Sequence, residues 1–491
     1  MKGFFRLLSL LSAVIAATLV SCSDKDDPIG WVSFDSKSAL FAPEQIQVLA
    51  FSSAYVKSYS VSLKPTGWAD PVIDTDAKTV TITAPAESDT EAVKSGTVTI
   101  AGVTDDGKSV SASIFVNVTD PVDLCGKVAN SYLINKGEAN YLIDVMHKGD
   151  GATMLATTRV KIIWQTQKDL IQYLEFKNGK ASFYVGNKAV GEVKEGNALI
   201  GAYDADGALI WSWHIWTTNF DPETAGSTVN FNGYTLMSRN LGALDNANSA
   251  PEIEAQRNLI LASYGLYYQW GRKDPFIGPK TYQGVGAATM YSDTGSAVTM
   301  SSQQTNSERG TYTYTLQNPM IFITGISNDE TNASLSDYDW LWPEGDDYSL
   351  PRWSETKTVN DPCPYGWHVA PAAAFTGLKI KETLSGSDYA DCFGWTLTDG
   401  SAESLFIGAG RRTYRNGAIQ NIYTNSETDL QAESTYSQPW IGFYWTTGVS
   451  ESNSAALYFW FDKSNVSKSG IENAVPHYRS NGMQVRCVKN E

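Results

Sequence analysis

The sequence predicts a multidomain, mainly β chain, with two sandwich-like modules towards the amino end and a further block after them. Three observations predict it. At 491 residues the chain exceeds one domain, and roughly 150 residues per domain gives about three. Short runs with period-two alternation recur, separated by turns rich in Gly, Asp and Asn. The composition, with 25 Tyr, 15 Trp and only 18% charged residues, suits an exported β-rich protein better than a cytosolic α/β enzyme.

The charge balance, 37 basic against 53 acidic residues, argues against a nucleic-acid partner, because phosphate binding needs clustered Lys and Arg. At the amino end, Lys2 and Arg6 precede an apolar run, Leu7 to Val20, that is short for a membrane span. Leu19-Val20-Ser21-Cys22 resembles a bacterial lipobox. That resemblance implies a signal peptide over 1–21, cleavage before Cys22 and lipidation of Cys22. Ser23-Asp24-Lys25-Asp26-Asp27, within an acidic linker over 22–30, resembles the tract that sends Bacteroidetes lipoproteins to the cell surface. The expected location is therefore the cell outer membrane, lipid-anchored and surface-exposed.

Residues 31–120 form the first module. Thr79-Val80-Thr81-Ile82-Thr83, the run from Gly96 to Ile100 and the run from Ser111 to Val118 alternate as strands, and Asp105-Asp106-Gly107-Lys108 marks a hairpin. The order of Gly67-Trp68, these strands and a closing valine-rich strand resembles the BACON domain, which implies an immunoglobulin-like sandwich. With no cluster of exposed aromatics nearby, Trp68 is expected in the core.

Residues 121–225 form a second β-rich module, also expected as an immunoglobulin-like sandwich. Asp204-Ala205-Asp206-Gly207 lacks the alternating ligands of a calcium loop and reads as a hairpin turn. In the strand Leu209 to Trp216, alternation puts Trp211 and Trp213 on one face and Ile210, Ser212 and His214 on the other. No acid or nucleophile is spaced to serve His214, so a structural role is expected for it.

Residues 226–491 form the third block. A short helix is expected over Glu252 to Ala262 and a longer one over Ala370 to Leu384, where Pro371 suits a first turn. Asn416-Gly417 marks a hairpin. A series of motifs runs from Trp211-Ser-Trp-His-Ile-Trp216 through Arg239-Asn-Leu-Gly-Ala243 and Tyr267-Tyr-Gln-Trp-Gly-Arg-Lys-Asp-Pro-Phe276. It continues with Asp361-Pro-Cys-Pro-Tyr-Gly-Trp-His-Val369, Tyr444-Trp-Thr-Thr447 and Val485-Arg-Cys487. In order and content it resembles the Fibrobacter succinogenes major paralogous domain. That family is similar, more distantly, to C-type lectin-like folds and formylglycine-generating enzymes, so a C-type lectin-like mixed α/β domain is implied.

Beyond Cys22, Cys125, Cys363, Cys392 and Cys487 allow two bridges in three connectivities. Matching turn and strand contexts favour Cys363–Cys487, and the contexts of Cys125 and Cys392 leave their pairing open. His147, His214, His368 and His477 are scattered and no Cys-x-x-Cys exists, so neither a metal nor another cofactor is expected. No nucleophile elbow, zinc-protease motif or phosphate loop is present. Glu344, Asp346 and Asp347 read as solvated loop acids rather than a glycosidase pair, and the chain is read as not an enzyme. In lectin-like folds ligands meet the long loops, here about 397–443. Aromatic faces for sugar C–H groups and forked Arg donors make Arg411, Arg412, Tyr414, Arg415, Tyr423, Tyr436 and Trp440 the expected ligand-binding residues. Trp340, Trp342 and Trp353 come second. The function expected is non-catalytic binding of an extracellular glycan or glycoprotein. A structural or adhesive subunit of fimbrial-tip kind, with a protein partner, is the alternative.

Overall fold

A computed structural model describes residues 29–282, 286–326, 338–346, 352–385, 392–420, 441–450, 453–460 and 470–491. The signal peptide and Cys22 lie outside the described residues. The described chain is mainly β, and among these residues no helix is long and apolar enough to cross a membrane.

The first module is a two-sheet sandwich. One sheet orders strands Trp31–Phe34, Ile46–Ala54, Thr79–Thr83 and Val72–Asp74; the other orders Ser38–Leu40, Ser109–Asn117, Ser95–Thr104 and Val56–Leu63. Alternation drives the inward residues Phe51, Val80, Ile82, Val98, Ile100 and Ile114 into one core. Trp68 is in that core as expected: its Nε1 donates to Val93 O at 2.9 Å and its ring meets Phe41 edge-on. A stacked pair, Phe115 on Tyr173 at 4.2 Å, joins this module to the next.

The second block is also built of two facing sheets. Ser131–Ile134, Leu209–Thr217, Gly196–Tyr203 and Arg159–Gln165 form one sheet, and Gln172–Lys177, Lys180–Val185, Ala139–Asp144 and Val122–Asp123 form the other. The expected hairpin turn is present, with Gly207 at φ 85° and Ala208 N bonded to Asp204 Oδ1. The larger sheet is covered on both faces. Trp211, Trp213 and Ile215 point into the core of the second block, together with Ala198, Ile200 and Ala202. The alternate residues Leu199 and Trp216, with Trp164, point into a different core, shared with Trp270, Trp367, Trp445 and Val485. The sheet also continues into the third block, because Gln165 pairs with Tyr291. The boundary expected near 225 therefore divides the sequence but not the packing: one sheet is the common wall of two cores.

The third block adds several small sheets. Gly482–Val485 lies at the centre of one, between Arg411–Arg412 and Gly442–Ser450, and also pairs with Tyr268–Gln269. Both helix expectations need revision. Glu254–Ser263 is a 3₁₀ helix. Only Ala372–Phe375 of the longer stretch makes a helical turn, and Lys379–Ser385 is a strand paired antiparallel with Cys392–Thr398. The cause is local. Gly377 adopts φ +71°, a left-handed conformation that ends the turn, and Ile380 and Leu384 then pack along a strand against the core. The one α-helix among the described residues, Tyr312–Gln317, went unread; Thr311 caps it by accepting from Tyr314 N at 3.1 Å.

Candidate functional site

The motifs of the third block come together in space and bind one another. Cys363 and Cys487 form a disulfide, with Cα atoms 5.9 Å apart. Asp361, fully buried, organises the turn that presents Cys363: Oδ1 accepts from Cys363 N and Oδ2 from Val369 N, both at 2.9 Å. Lys357 Nζ closes the turn by donating to Asp361 Oδ1 and to the carbonyls of Cys363 and Trp367. The second block grips the same turn. Asn130 Nδ2 donates to Val359 O and Asp361 O, and Ser131 Oγ donates to Pro362 O at 2.6 Å.

Arg486, beside the disulfide, is completely buried. Its Nε donates to Asn240 Oδ1 at 2.7 Å, its Nη2 to Leu405 O at 2.6 Å, and its plane lies 4.2 Å from the Phe406 ring. Asn240 Nδ2 in turn donates to Tyr264 O and the Tyr444 hydroxyl. Trp216, Trp270 and Trp445 each donate an indole N–H to a backbone carbonyl, of Ala243, Thr446 and Tyr268 respectively. Buried polar groups are tolerated when paired in this way, and paired networks rigidify a core. The motif residues are a frame.

A second network was not legible from the motifs. Three buried guanidiniums alternate with aromatic rings: Arg479 lies 4.9 Å from the Trp270 ring, Arg352 lies 5.6 Å from Trp270 and 5.4 Å from Trp340, and Arg272 lies 5.8 Å from Trp340 and 5.0 Å from Phe276. Asp339 neutralises part of this charge, accepting from Arg352 Nη1 with both oxygens, at 2.9 and 2.8 Å, and from Arg479 Nη1 at 3.3 Å. Burial pulls Arg272 down to about 10, with Asp274 opposing. Gly271 at φ +86° permits this arrangement, since a Cβ there would stand 2.7 Å from the Arg352 side chain.

His214 holds the common wall. Its Nε2 meets Asn197 Oδ1 at 2.8 Å and its Nδ1 meets Ser131 Oγ at 3.0 Å. Burial lowers its pKa from 6.5 to about 3, which keeps the ring neutral. The unfolded chain takes up this proton first, so the contribution of His214 is complete above pH 6.5 and is lost as pH falls towards 3. The full loss is roughly 4–5 kcal/mol. Urea unfolding of His214→Gln between pH 7 and 4 should show a flatter fall in stability than the parent; an equal slope would contradict this assignment.

The expected ligand-binding residues divide. Arg411, Arg412 and Tyr414 are buried, contrary to the expectation that they meet a ligand directly. Arg411 lies on the Phe443 ring. Arg412 donates to Ile277 O and Gly417 O, and burial lowers it to about 10. Tyr414 packs edge-on against Tyr338 and Tyr478. Arg415 is half-buried, donating from Nε to the Tyr414 hydroxyl at 2.9 Å. Tyr423, Tyr436 and Trp440 lie outside the described residues. Of the second-rank tryptophans, Trp340 and Trp353 are core residues and Trp342 is half-buried. Glu344 and Asp346 are exposed, and Asp347 lies outside the described residues. Cys125 is a free thiol, pushed up to about 12 chiefly by burial, so the pairing with Cys392 that the sequence left open is not made.

No family model and no curated protein matches the chain. Among solved structures it is similar to cadherin domains 1–4 of protocadherin gamma B7 at 11% identity, covering 38% of this chain and 50% of that one, with a TM-score of 0.15. The D00–D0 domains of intimin match at 12% identity over 38% of this chain and 96% of that one, TM-score 0.15. Titin domains I67–I69 match at 16% over 38% and 64%, TM-score 0.13. The chain thus spans about half the length of the protocadherin structure. At these scores the likenesses carry no argument about fold or function.

Proposed function

We propose that the chain is a lipid-anchored outer-membrane surface protein whose third block, C-type lectin-like in kind, binds an extracellular glycan or glycoprotein without catalysing a reaction. The first module serves as a BACON-like spacer. One observation carries the reading: the motif residues of the third block are consumed by bonds to one another inside it. Such a frame leaves recognition to the loops it presents, as loops on rigid scaffolds commonly carry binding. Arg415, half-buried on the Tyr414 ring six residues before the 421–440 tract, supports placing the contact there. The full chain on a glycan array should retain at least one glycan, and Arg415→Ala or Trp440→Ala should weaken retention about tenfold, a change of about 1.4 kcal/mol. No retention by protein with native circular dichroism would sink the reading.

A further inference from the structure

A cleft of about 610 Å³ lies at the seam between the second and third blocks, with no residue of 411–420 in its lining, in the size range of small-ligand sites. Its floor includes Leu133, Met237 and the largely buried Trp367. One wall is the turn carrying Tyr365, which is 56% exposed while the neighbouring Trp367 is buried. That turn is held rigid. Pro364 precedes the ring, Gly366 follows it at φ +80°, the Cys363–Cys487 bond anchors it, and Asn490 N donates to Gly366 O at 2.8 Å. A backbone fixed in advance leaves only the side-chain rotamer of Tyr365 to be ordered when a ligand stacks on its ring.

The rim is lysine-rich in a chain of formal charge −16. Lys127, Lys136 and Lys489 line it against Asp221 and Glu223, and Lys489 is paired with Glu223 at 3.0 Å. Lys127 and Lys136 are both exposed and outweigh Asp221. An apolar, aromatic-walled cleft under an excess of ammonium groups matches a ligand with a flat C–H face and a carboxylate.

From this geometry we propose that the seam cleft is a second, separate saccharide site, selective for uronic-acid-containing oligosaccharides. It rests on the glycan reading for the kind of ligand, and on the cleft alone for its place and its preference for charge. Tyr365 provides the stacking face, and Lys127 and Lys136 meet the carboxylates.

The test is titration calorimetry of the full chain with tetragalacturonate and with its methyl ester, which keeps the rings and removes the charge. Tetragalacturonate should bind, weaken as salt is raised, and exceed the ester at least tenfold. Tyr365→Ala should weaken it tenfold or more and Lys136→Gln several-fold. Both residues are exposed, so folding should survive, and Arg415→Ala should leave this binding unchanged. Equal binding of the ester, or no effect of Tyr365→Ala, overturns the cleft. So does binding abolished by Arg415→Ala alone, or an acidic peptide that displaces the sugar from the cleft. If an array retains neutral glycans while tetragalacturonate does not bind, the cleft fails and the loop reading stands.

Discussion

Asp339→Ala is expected to destabilise the protein by about 3–5 kcal/mol, the range for removing one partner of a buried ion pair. Asp339 is fully buried and gives both oxygens to Arg352 and one to Arg479. Its removal takes the carboxylate from two guanidiniums that stay packed on Trp270 and Trp340. The rings do not compensate, since a cation–π contact is worth about 0.5–2 kcal/mol and is already present. Arg272 adds to the imbalance, because its Nε and Nη2 are buried without a partner among the described residues. Glu344→Gln, a few residues on but exposed, should stay within about 0.5 kcal/mol of the parent. Urea midpoints of the two variants measure the difference; an unchanged midpoint for Asp339→Ala would remove the network from the account.

Loss of the Cys363–Cys487 bond is the other large effect. The bond closes a separation of 124 residues, for which the chain-entropy estimate is roughly 4–5 kcal/mol, within the 2–5 kcal/mol seen for small disulfide-linked domains. The geometry around it argues for the full effect. Asp361, Lys357 and the Val369–Cys487 pairing hold both half-cystines in place without the bond, so the native state gains little by relaxing when it is cut. Cys363→Ser with Cys487→Ser should lower the urea midpoint accordingly, and the parent should match the variant once mass spectrometry shows its bond reduced. If the reduced parent unfolds at the midpoint of the oxidised one, the clamp contributes nothing.

These two effects mark what the sequence could and could not reveal. The strand Thr79–Thr83 and the two faces of Leu209–Thr217 were legible because period-two alternation is a local signal. The disulfide was legible because Pro362, Pro364 and the strand around Cys487 supply matching contexts. The common wall was half legible. Ser212 and His214 lie by alternation on the face opposite Trp211 and Trp213, but nothing local says that this face is covered by residues from 237 to 487. Ala370 to Leu384 misled because its apolar spacing suits either structure, and Gly377 decided between them. Arg411, Arg412 and Tyr414 misled for a related reason. Arg and Tyr in a glycine-rich stretch suit sugar recognition, yet an Arg that finds carbonyls and a ring can be buried, and only the fold supplies Ile277 O and Phe443. The alternation of Arg479, Trp270, Arg352, Trp340 and Arg272 joins segments far apart in the chain and leaves no spacing to read.

If one sheet is the wall of two cores, residues 121–491 should behave as a single cooperative body, while the first module, joined by the Phe115–Tyr173 stack, can open separately. Native-state amide exchange measures this directly. Protected amides of Leu209–Thr217 should exchange at the same opening free energy as those of Gly482–Val485, and both should fall together in Asp339→Ala. If Leu209–Thr217 stays protected while Gly482–Val485 opens at a lower free energy, the two blocks are independent and the shared wall is not what holds them together.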